Sequence, residues 1–281
     1  MSNRILELFT ISTGKTNVDW QPTAKRQFCG YLEKKCVKIR KSQPEISIGT
    51  CSVLYGVGEE RSAIICPHRF LERSQIFIDC LHLLKSHEPG NELHKVPEVS
   101  IPGGSVDYFL VSAKNGKVAD FVGIELQAVD TTGTTWPARQ QFLKSVGIKI
   151  PRKDEQGKSY GINWKMTAKT TLVQLHHKAE TFQHINKHLV LVLQDCLFDY
   201  MNGSFRFSHI EDAKLGDPMH FHIYAQDLAS AEPRIKLTAR KSTDAQGIAL
   251  SLGLQAKQQV ELEMIVAALQ AKMSDRTLLR I

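Results

Sequence analysis

Residues 105–127 read SVDYFLVSAKNGKVADFVGIELQ, a pattern that predicts a β-hairpin. Two runs rich in β-branched and aromatic residues, Ser105–Val111 and Val118–Gln127, lie on either side of the Asn115-Gly116 pair. An Asn-Gly pair favours a tight turn because both residues accept positive φ angles at low cost. We therefore expect two antiparallel strands joined at this turn.

Acidic and amide side chains interrupt the apolar pattern of the hairpin. Side chains two residues apart on a strand share a face, so Glu125 and Gln127 project together. Burying them is costly unless they bind something. Together with Asp107 on the other strand, Glu125 can hold Mg²⁺, which prefers oxygen ligands and can activate water against a phosphodiester. The alternative is structural: Asp107 lies at a strand edge and Glu125 forms a salt bridge.

The length of the turn decides whether the two carboxylates share a face. A two-residue turn at Asn115-Gly116 would place Asp107 on the face away from Glu125. A three-residue turn at 114–116 would place both on one face, and Gly116 stands where that turn requires a positive φ. We expect the three-residue turn or a β-bulge of equal effect. Asp120 is a rival partner, but its strand parity relative to Glu125 is wrong.

The remaining pattern predicts an α/β fold with a mixed central sheet flanked by helices. A continuous apolar run in His188–Gln194 is typical of a strand buried on both faces. Further strands are expected near Met219–Tyr224 and Arg234–Arg240. Apolar stripes predict helices over Phe70–Lys85, from about Asn163 to Phe182, and near the C-terminus around Leu262–Met273.

Composition is that of an ordinary globular protein. The chain has 281 residues, of which 42% are hydrophobic and 23% charged. No apolar stretch approaches the roughly 20 residues that span a bilayer, and Met1–Arg4 lacks the apolar run of a secretory signal. We therefore expect a cytoplasmic protein of prokaryotic intracellular type with no membrane partner. The net charge of +7 suits a polyanionic partner.

Four of the six cysteines fall close together in the first quarter of the chain. Intervals of 6, 14 and 14 residues separate Cys29, Cys36, Cys51 and Cys66. Without an export signal, this grouping favours metal ligation over disulfides. Four thiolates suit a tetrahedral zinc or iron site, and the spacing does not choose between the two metals. His68 is an alternative ligand, and four unligated buried thiols remain the structural alternative.

The order of these motifs resembles a known enzyme family. Asp107, a hairpin, then Glu125-Leu126-Gln127 and a Thr-rich loop look like the PD-(D/E)xK nuclease core. With the cysteine cluster and the stretch Ile65–Phe70, the chain is similar to type II restriction endonucleases of the NotI type. The resemblance implies Mg²⁺-dependent, sequence-specific hydrolysis of double-stranded DNA and a structural iron in the four-cysteine site. It also implies a metal-binding subregion at 1–69 and a nuclease core with DNA-recognition insertions at 70–281.

Two positions depart from the general nuclease pattern. Val106 stands where proline usually precedes the aspartate, and Gln127 stands where lysine is usual, a replacement that the NotI type shares. Gln127 can orient the attacking water or a metal-bound water, but it cannot carry a positive charge. The metal ion or a nearby cation must then stabilise the developing anion.

Several basic residues are candidates for DNA contacts. Lys165 and Lys169 lie one turn apart on the second predicted helix and could reach phosphates, and Arg139 could read a base edge. Each could equally be a solvated surface residue. A homodimer would suit a palindromic target, because each subunit then reads one half-site. Two other functions stay open: a repair or recombination nuclease on the same fold, and a metal-stapled DNA-binding protein that does not cut.

Overall fold

A computed structural model describes residues 4–56, 61–151, 160–228 and 233–253. The described strands of the N-terminal part are β1 (Ile5–Leu8), β2 (Ile11–Ser12), β3 (Phe28–Cys29), β4 (Lys34–Lys35), β5 (Ile39–Arg40), β6 (Gln43–Ser47), β7 (Thr50–Tyr55) and β8 (Arg61–Ile64). Those that follow are β9 (Glu92–Ile101), β10 (Gly104–Lys114), β11 (Lys117–Gln127), β12 (Thr131–Thr132), β13 (Gly161–Ile162), β14 (His188–Gln194), β15 (Glu211–Asp212), β16 (Met219–Asp227) and β17 (Arg234–Thr243). The α-helices of the described residues are α1 (Trp20–Arg26), α2 (Gln75–Cys80), α3 (Trp136–Ser145), α4 (Trp164–His184), α5 (Asp195–Ser204) and α6 (Ala245–Ser251).

The predicted hairpin lies within a seven-stranded mixed sheet of order β15-β17-β16-β14-β11-β10-β9. Strands β11, β14 and β16 run parallel in the middle, and the outer pairs are antiparallel. Every residue of His188–Gln194 is buried, as its continuous apolar run predicts. The expected mixed central sheet with flanking helices is confirmed. The strand β9 and the helices α3 and α5 have no counterpart in the sequence-based expectations.

Helix α4 covers one face of this sheet. Its buried stripe packs on apolar side chains of the central strands, which confirms the predicted helix and its face. The helix approaches β11 closely because Gly123 has no side chain. A Cβ atom at Gly123 would lie 2.4 Å from the Phe182 ring. This close approach fixes which residues of α4 stand above the C-terminal half of β11.

The opposite face is covered by the segment between β8 and β9. The sequence predicted one helix over Phe70–Lys85, but the segment divides into a 3₁₀ helix at Pro67–Ser74, then α2, then a 3₁₀ turn at Leu81–Leu83. Positive φ angles at Arg73 and Ser74 produce the break. The apolar stripe is nevertheless buried against β10 and β11 as expected, through residues including Phe77, Cys80 and Leu84.

The N-terminal part contains more regular structure than its sequence indicates. Strands β2, β1, β7 and β8 form a four-stranded antiparallel sheet, and β3–β4 and β5–β6 form two short ribbons. Strands this short carry too few residues for a periodic signal to emerge. Their apolar core includes Leu143 of α3 and Tyr160, both beyond residue 69. The proposed division at residue 69 therefore stays a prediction.

A buried ion-pair network joins this N-terminal sheet to the central one. Arg69 is fully buried and donates from Nε to Glu7 Oε2 at 2.8 Å and from Nη1 to Glu72 Oε2 at 3.0 Å. Its Nη2 donates to the Pro233 carbonyl at 2.6 Å, and Gln226 Nε2 donates to Glu7 Oε2 at 2.9 Å. A buried guanidinium is tolerated only when its donors are satisfied in this way. The network therefore locks β1 against β16.

The predicted C-terminal helix around Leu262–Met273 lies outside the described residues. Among the residues that are described, no helix is both long and apolar enough to cross a bilayer.

Three buried imidazole rings, those of His188, His220 and His222, lie close together in the central sheet, and the exposed His82 packs beside them. His188 and His220 contact each other edge to face at 5.2 Å between centroids, and His82 stacks on His222 at 5.9 Å. His222 Nδ1 lies 3.7 Å from the Cys80 thiol. Burial lowers the pKa of His220 to about 4, helped by His188, and lowers the pKa of His222 to about 3. These two imidazoles are therefore neutral in the folded protein at neutral pH.

We predict that the protein loses stability as the pH falls below about 6.5, the pKa of an unfolded histidine. Between about pH 6.5 and about pH 4, His220 and His222 bind protons in the unfolded chain but not in the folded protein. Acid therefore favours unfolding. Each should contribute a loss of about 2 kcal/mol at about pH 5. Urea unfolding at about pH 8 and at about pH 5 measures this loss. His222→Leu should reduce it and the exposed-site control His94→Leu should not; equal losses in both variants would contradict the assignment.

Candidate functional site

The hairpin turn is one residue shorter than the expected turn, and a β-bulge shifts the register by the missing residue. Asn115 and Gly116 form a two-residue turn with φ angles of 52° and 72°. The three-residue turn was therefore wrong. The pairing then shifts by one residue between the Ala113–Val118 and Ser112–Asp120 pairs. This bulge reverses the facing of every residue that follows it towards the C-terminal end of β11.

The bulge shifts the register so that Asp107 and Glu125 are the next residues after the last regular pair of the hairpin, which joins Tyr108 to Ile124. The two carboxylates lie near each other, because the charge of Asp107 contributes to the raised pKa of Glu125. Asp107 is half-buried, and its Oδ2 accepts a hydrogen bond from the Leu126 amide at 2.8 Å. The side chain thus takes up a backbone donor where the regular pairing of β10 and β11 ends. This contact holds the carboxylate against the strand that carries Glu125.

Asp120, the rival partner, stabilises the bulge and does not join the site. Its carboxylate accepts hydrogen bonds from the Phe121 and Ser86 amides, both at 2.8 Å, and from Lys187 Nζ at 2.5 Å. Burial opposes ionisation, but these three donors outweigh it and lower the pKa of Asp120. The group is an anion held inside the fold by protein donors.

Glu125 is a largely buried carboxylate that faces a buried ammonium group. Lys178 Nζ of α4 lies 2.6 Å from Glu125 Oε1, with the two side chains 8% and 13% exposed. Burial raises the pKa of Glu125 to about 7, although the hydrogen bond and charge of Lys178 act in the opposite direction and Asp107 adds to the rise. One cation therefore does not fully offset the desolvation of this carboxylate.

The helix brings Lys178 to this position through the same packing that fills the space over Gly123. Phe182 lies over Gly123, and Lys178 is one helical turn from Phe182. One turn of helix rises about 5.4 Å and two residues of strand rise about 6.6 Å. A helix running antiparallel to β11 thus places Lys178 over Glu125.

Gln127 and His68 complete the surroundings. Gln127 is half-buried, and its Nε2 donates to the Ala128 carbonyl at 2.7 Å. Burial lowers the pKa of His68, whereas the nearby Asp107 raises it. The buried Nδ1 atom of His68 has no hydrogen-bond partner among the described residues.

The oxygen donors suit a hard cation, although the structure does not assemble a full ligand set. Asp107 and Glu125 supply carboxylate oxygens, the donors that Mg²⁺ prefers. Glu125 remains underneutralised in its buried position, as its raised pKa indicates. Within the described residues, no group of three or more His, Cys, Asp and Glu side chains is arranged to hold a metal ion.

The four cysteines of the predicted metal site lie in the N-terminal part and form no disulfide. Cys51 of β7 and Cys66, which follows β8, are adjacent, since the Cys66 amide donates to the Cys51 carbonyl at 3.2 Å. Burial raises the pKa of Cys36 and Cys51, and raises that of Cys66 to about 11. The neighbouring Cys29 contributes to the rise in each of these three pKa values. Four sulfur donors suit zinc or iron, but the described chain does not gather three of them into ligand geometry.

The predicted DNA-contact residues separate into two groups. Lys165 and Lys169 are exposed at the start of α4. Arg139 is 4% exposed; its Nε donates to the Ile48 carbonyl at 2.8 Å, and its guanidinium lies 4.6 Å over the Trp136 ring. Burial lowers the pKa of Arg139 to about 10. This placement does not support Arg139 as a residue that reads base edges, because its guanidinium is buried between α3 and the loop that joins β6 to β7.

Lys178 is the residue near the site that the sequence-based reasoning missed. A usable signal existed, because Lys178 lies three residues after Leu175 and four before Phe182 on the apolar stripe of the helix. A lysine at such a position is rarely buried without a partner. The sequence could have shown that Lys178 needs an anion, but not which one.

Comparison with known proteins gives one family. The family model described as "Restriction endonuclease NotI" matches residues 26–229, which is 204 of the 281 residues. The matched range contains the hairpin, the four clustered cysteines and Lys178. A search of curated proteins found no match.

We predict that Asp120→Ala destabilises the protein by about 3 kcal/mol, because it strands Lys187 and two amides at the bulge. Asp120→Asn should lose less, since its side-chain oxygen still accepts hydrogen bonds. Urea unfolding measures both effects, and hydrogen exchange of the β10 and β11 amides reports the pairing. The control is Glu88→Gln at an exposed ion pair. Unchanged stability and exchange in Asp120→Ala would show that the bulge does not depend on this carboxylate.

Proposed function

Because this chain belongs to the restriction endonuclease NotI family, we propose that it cuts double-stranded DNA at a defined sequence with the help of Mg²⁺. The family makes it a type II restriction endonuclease, a hydrolase that acts on double-stranded DNA. The metal requirement and the sequence specificity are our proposal. The observation that supports it is the proximity of the Asp107 and Glu125 carboxylates where the pairing of β10 and β11 ends.

The proposed magnesium ligands are Asp107 and Glu125. When bound, Mg²⁺ supplies a more acidic water and positive charge at the phosphate. Asp107 is already oriented by the Leu126 amide, so it presents its carboxylate from a fixed position. An ion bound there would place a second positive charge beside Glu125, whose ionised form burial disfavours.

The reaction is the hydrolysis of one phosphodiester in each strand. A bond forms between the oxygen of water and phosphorus, and one P–O ester bond of the backbone breaks. The attacking water gives up a proton to solvent, and the leaving sugar oxygen gains one. We assign Gln127 to positioning this water, since its amide can both donate and accept hydrogen bonds and its strand position shares the face of Glu125.

The proposed DNA contacts lie on the exposed start of α4. Lys165 and Lys169 can neutralise phosphates there, which would make binding weaken as salt increases. A homodimer that places one subunit on each half-site accounts best for cleavage of both strands of a palindromic target. The net charge of +7 is compatible with a polyanionic partner.

A second candidate is a DNA-binding protein that no longer cuts. The glutamine at position 127 favours it, because that position cannot supply the usual positive charge. It predicts tight duplex binding without Mg²⁺-dependent cleavage. A repair or recombination nuclease on the same fold would instead cut without giving discrete fragments from a defined DNA.

We predict that Glu125→Gln reduces the rate of Mg²⁺-dependent cleavage by on the order of 100-fold or more, because a neutral amide is a poor ligand for a hard cation. Duplex binding should persist, since the change does not alter the surface lysines. The cleavage assay is digestion of a large sequenced DNA followed by sequencing of the ends.

The control for that experiment is Glu211→Gln, at an exposed position on the far edge of the sheet. It should cut at the wild-type rate and at the same sequence. Wild-type binding without any cutting would support the DNA-binding alternative. Retained cleavage in Glu125→Gln would reject the proposed metal ligand.

We also propose that Cys29, Cys36, Cys51 and Cys66 hold a structural iron or zinc ion. Elemental analysis of the purified protein should find about one such ion per chain. Cys51→Ser should lose it and lower the urea midpoint, because metal binding and folding are coupled. The half-buried Cys196→Ser, outside the cluster, should keep the metal. Equal metal content in the two variants, or no metal in the wild type, would refute the site.

A further inference from the structure

Helix α4 buries a lysine for which the proposed reaction has no assigned use. Lys178 is 6% exposed in a stripe whose neighbours are apolar. Burying a long charged side chain is unfavourable unless a partner compensates its charge. The compensating partner is Glu125, at 2.6 Å, a residue of the proposed site.

The backbone at the start of β10 leaves room for this lysine. Gly104 has a φ of +134°, and a Cβ atom there would lie 3.2 Å from Lys178 Cε. Gly103 has a φ of +95°, and a Cβ atom there would lie 3.0 Å from the carbonyl oxygen of His177. The two glycines let the strand pass close to α4, three residues before Asp107. The ammonium group is thus confined between the beginning of the Asp107 strand and Glu125.

Strand β11 has no positively charged side chain at position 127, where the general nuclease pattern has a lysine. Gln127 is two residues beyond Glu125 on the same face, and an amide cannot neutralise a developing anion. Lys178 reaches the same group of side chains from the helix above the sheet.

We propose that Lys178 supplies from helix α4 the positive charge that β11 lacks at Gln127, and that it contacts a non-bridging oxygen of the phosphate being cut. This inference rests on the proposed function. Its position is defined by the Glu125 contact and by the space over Gly104. The alternative is a purely structural role, in which Lys178 only neutralises Glu125 and never contacts DNA.

The first test compares Lys178→Met with Lys178→Arg in single-turnover cleavage at saturating protein. Lys178→Met should slow cleavage by on the order of 100-fold, the typical effect of removing one charge-stabilising donor. Duplex affinity, measured by fluorescence anisotropy with Ca²⁺ in place of Mg²⁺, should stay within about threefold, since the charge acts mainly on the transition state. Lys178→Arg should recover about tenfold of the lost rate, because it retains the positive charge. The control is Lys214→Met, an exposed residue at the far edge of the sheet.

A substrate change separates contact with phosphate from a structural role. Replacing one non-bridging oxygen of the scissile phosphate with sulfur should slow the wild type by a factor that shrinks in Lys178→Met, since the two changes remove the same contact. A structural counter-ion would leave that factor unchanged. If urea unfolding shows that Lys178→Met does not fold, the sulfur effect in Lys178→Arg decides: an altered factor supports the contact and an equal factor overturns it.

The outcomes for the inference and for the proposed function are distinct. If the wild-type protein cuts no DNA with Mg²⁺, the proposed function is rejected, and no comparison of variants is needed. A wild type that cuts, together with a folded Lys178→Met that cuts within about threefold of it, overturns only the role of Lys178.

Discussion

One extra residue in β11 sets the register between the two strands that carry Asp107 and Glu125. The two-residue turn at Asn115-Gly116 would by itself direct Asp107 and Glu125 to opposite faces, and the bulge before the Ser112–Asp120 pair reverses that parity. Asp120 holds the bulge with a buried carboxylate that accepts three hydrogen bonds. Asp120, whose strand parity excludes it as a partner of Glu125, thus stabilises the backbone irregularity that sets the facing of Glu125 relative to β10.

The second constraint is the energetic cost of burying Glu125. Its carboxylate lies between the sheet and α4, and the Lys178 ammonium group offsets only part of the desolvation, so the pKa of Glu125 stays raised to about 7. A further cation beside Glu125 would stabilise its ionised form and lower its pKa. The absence of a side chain at Gly123 brings α4 near enough for this pairing, so the packing of the helix and the charge balance of the site depend on each other.

The N-terminal part is held to this core by charge as well as by apolar packing. The fully buried guanidinium of Arg69 forms ion pairs with Glu7 and Glu72 and donates a hydrogen bond to the Pro233 carbonyl. Breaking a pair of this kind leaves an uncompensated buried charge, which is strongly destabilising. Arg69 belongs to the 3₁₀ helix Pro67–Ser74. This helix begins directly after Cys66 and also contains His68, which lies near Asp107. The cysteine region and the carboxylate site are therefore neighbours along one short segment.

The sequence by itself determined the features that depend on local periodicity and on residue chemistry. The hairpin strands, the fully buried strand His188–Gln194 and the apolar face of α4 follow from patterns within single segments. Only the tertiary structure decided the broken helix before β9, the burial of Arg139 and the pairing of Lys178 with Glu125. Each of these depends on groups distant in sequence, and the energy of a buried charge is set by which partner the fold brings within a few ångströms.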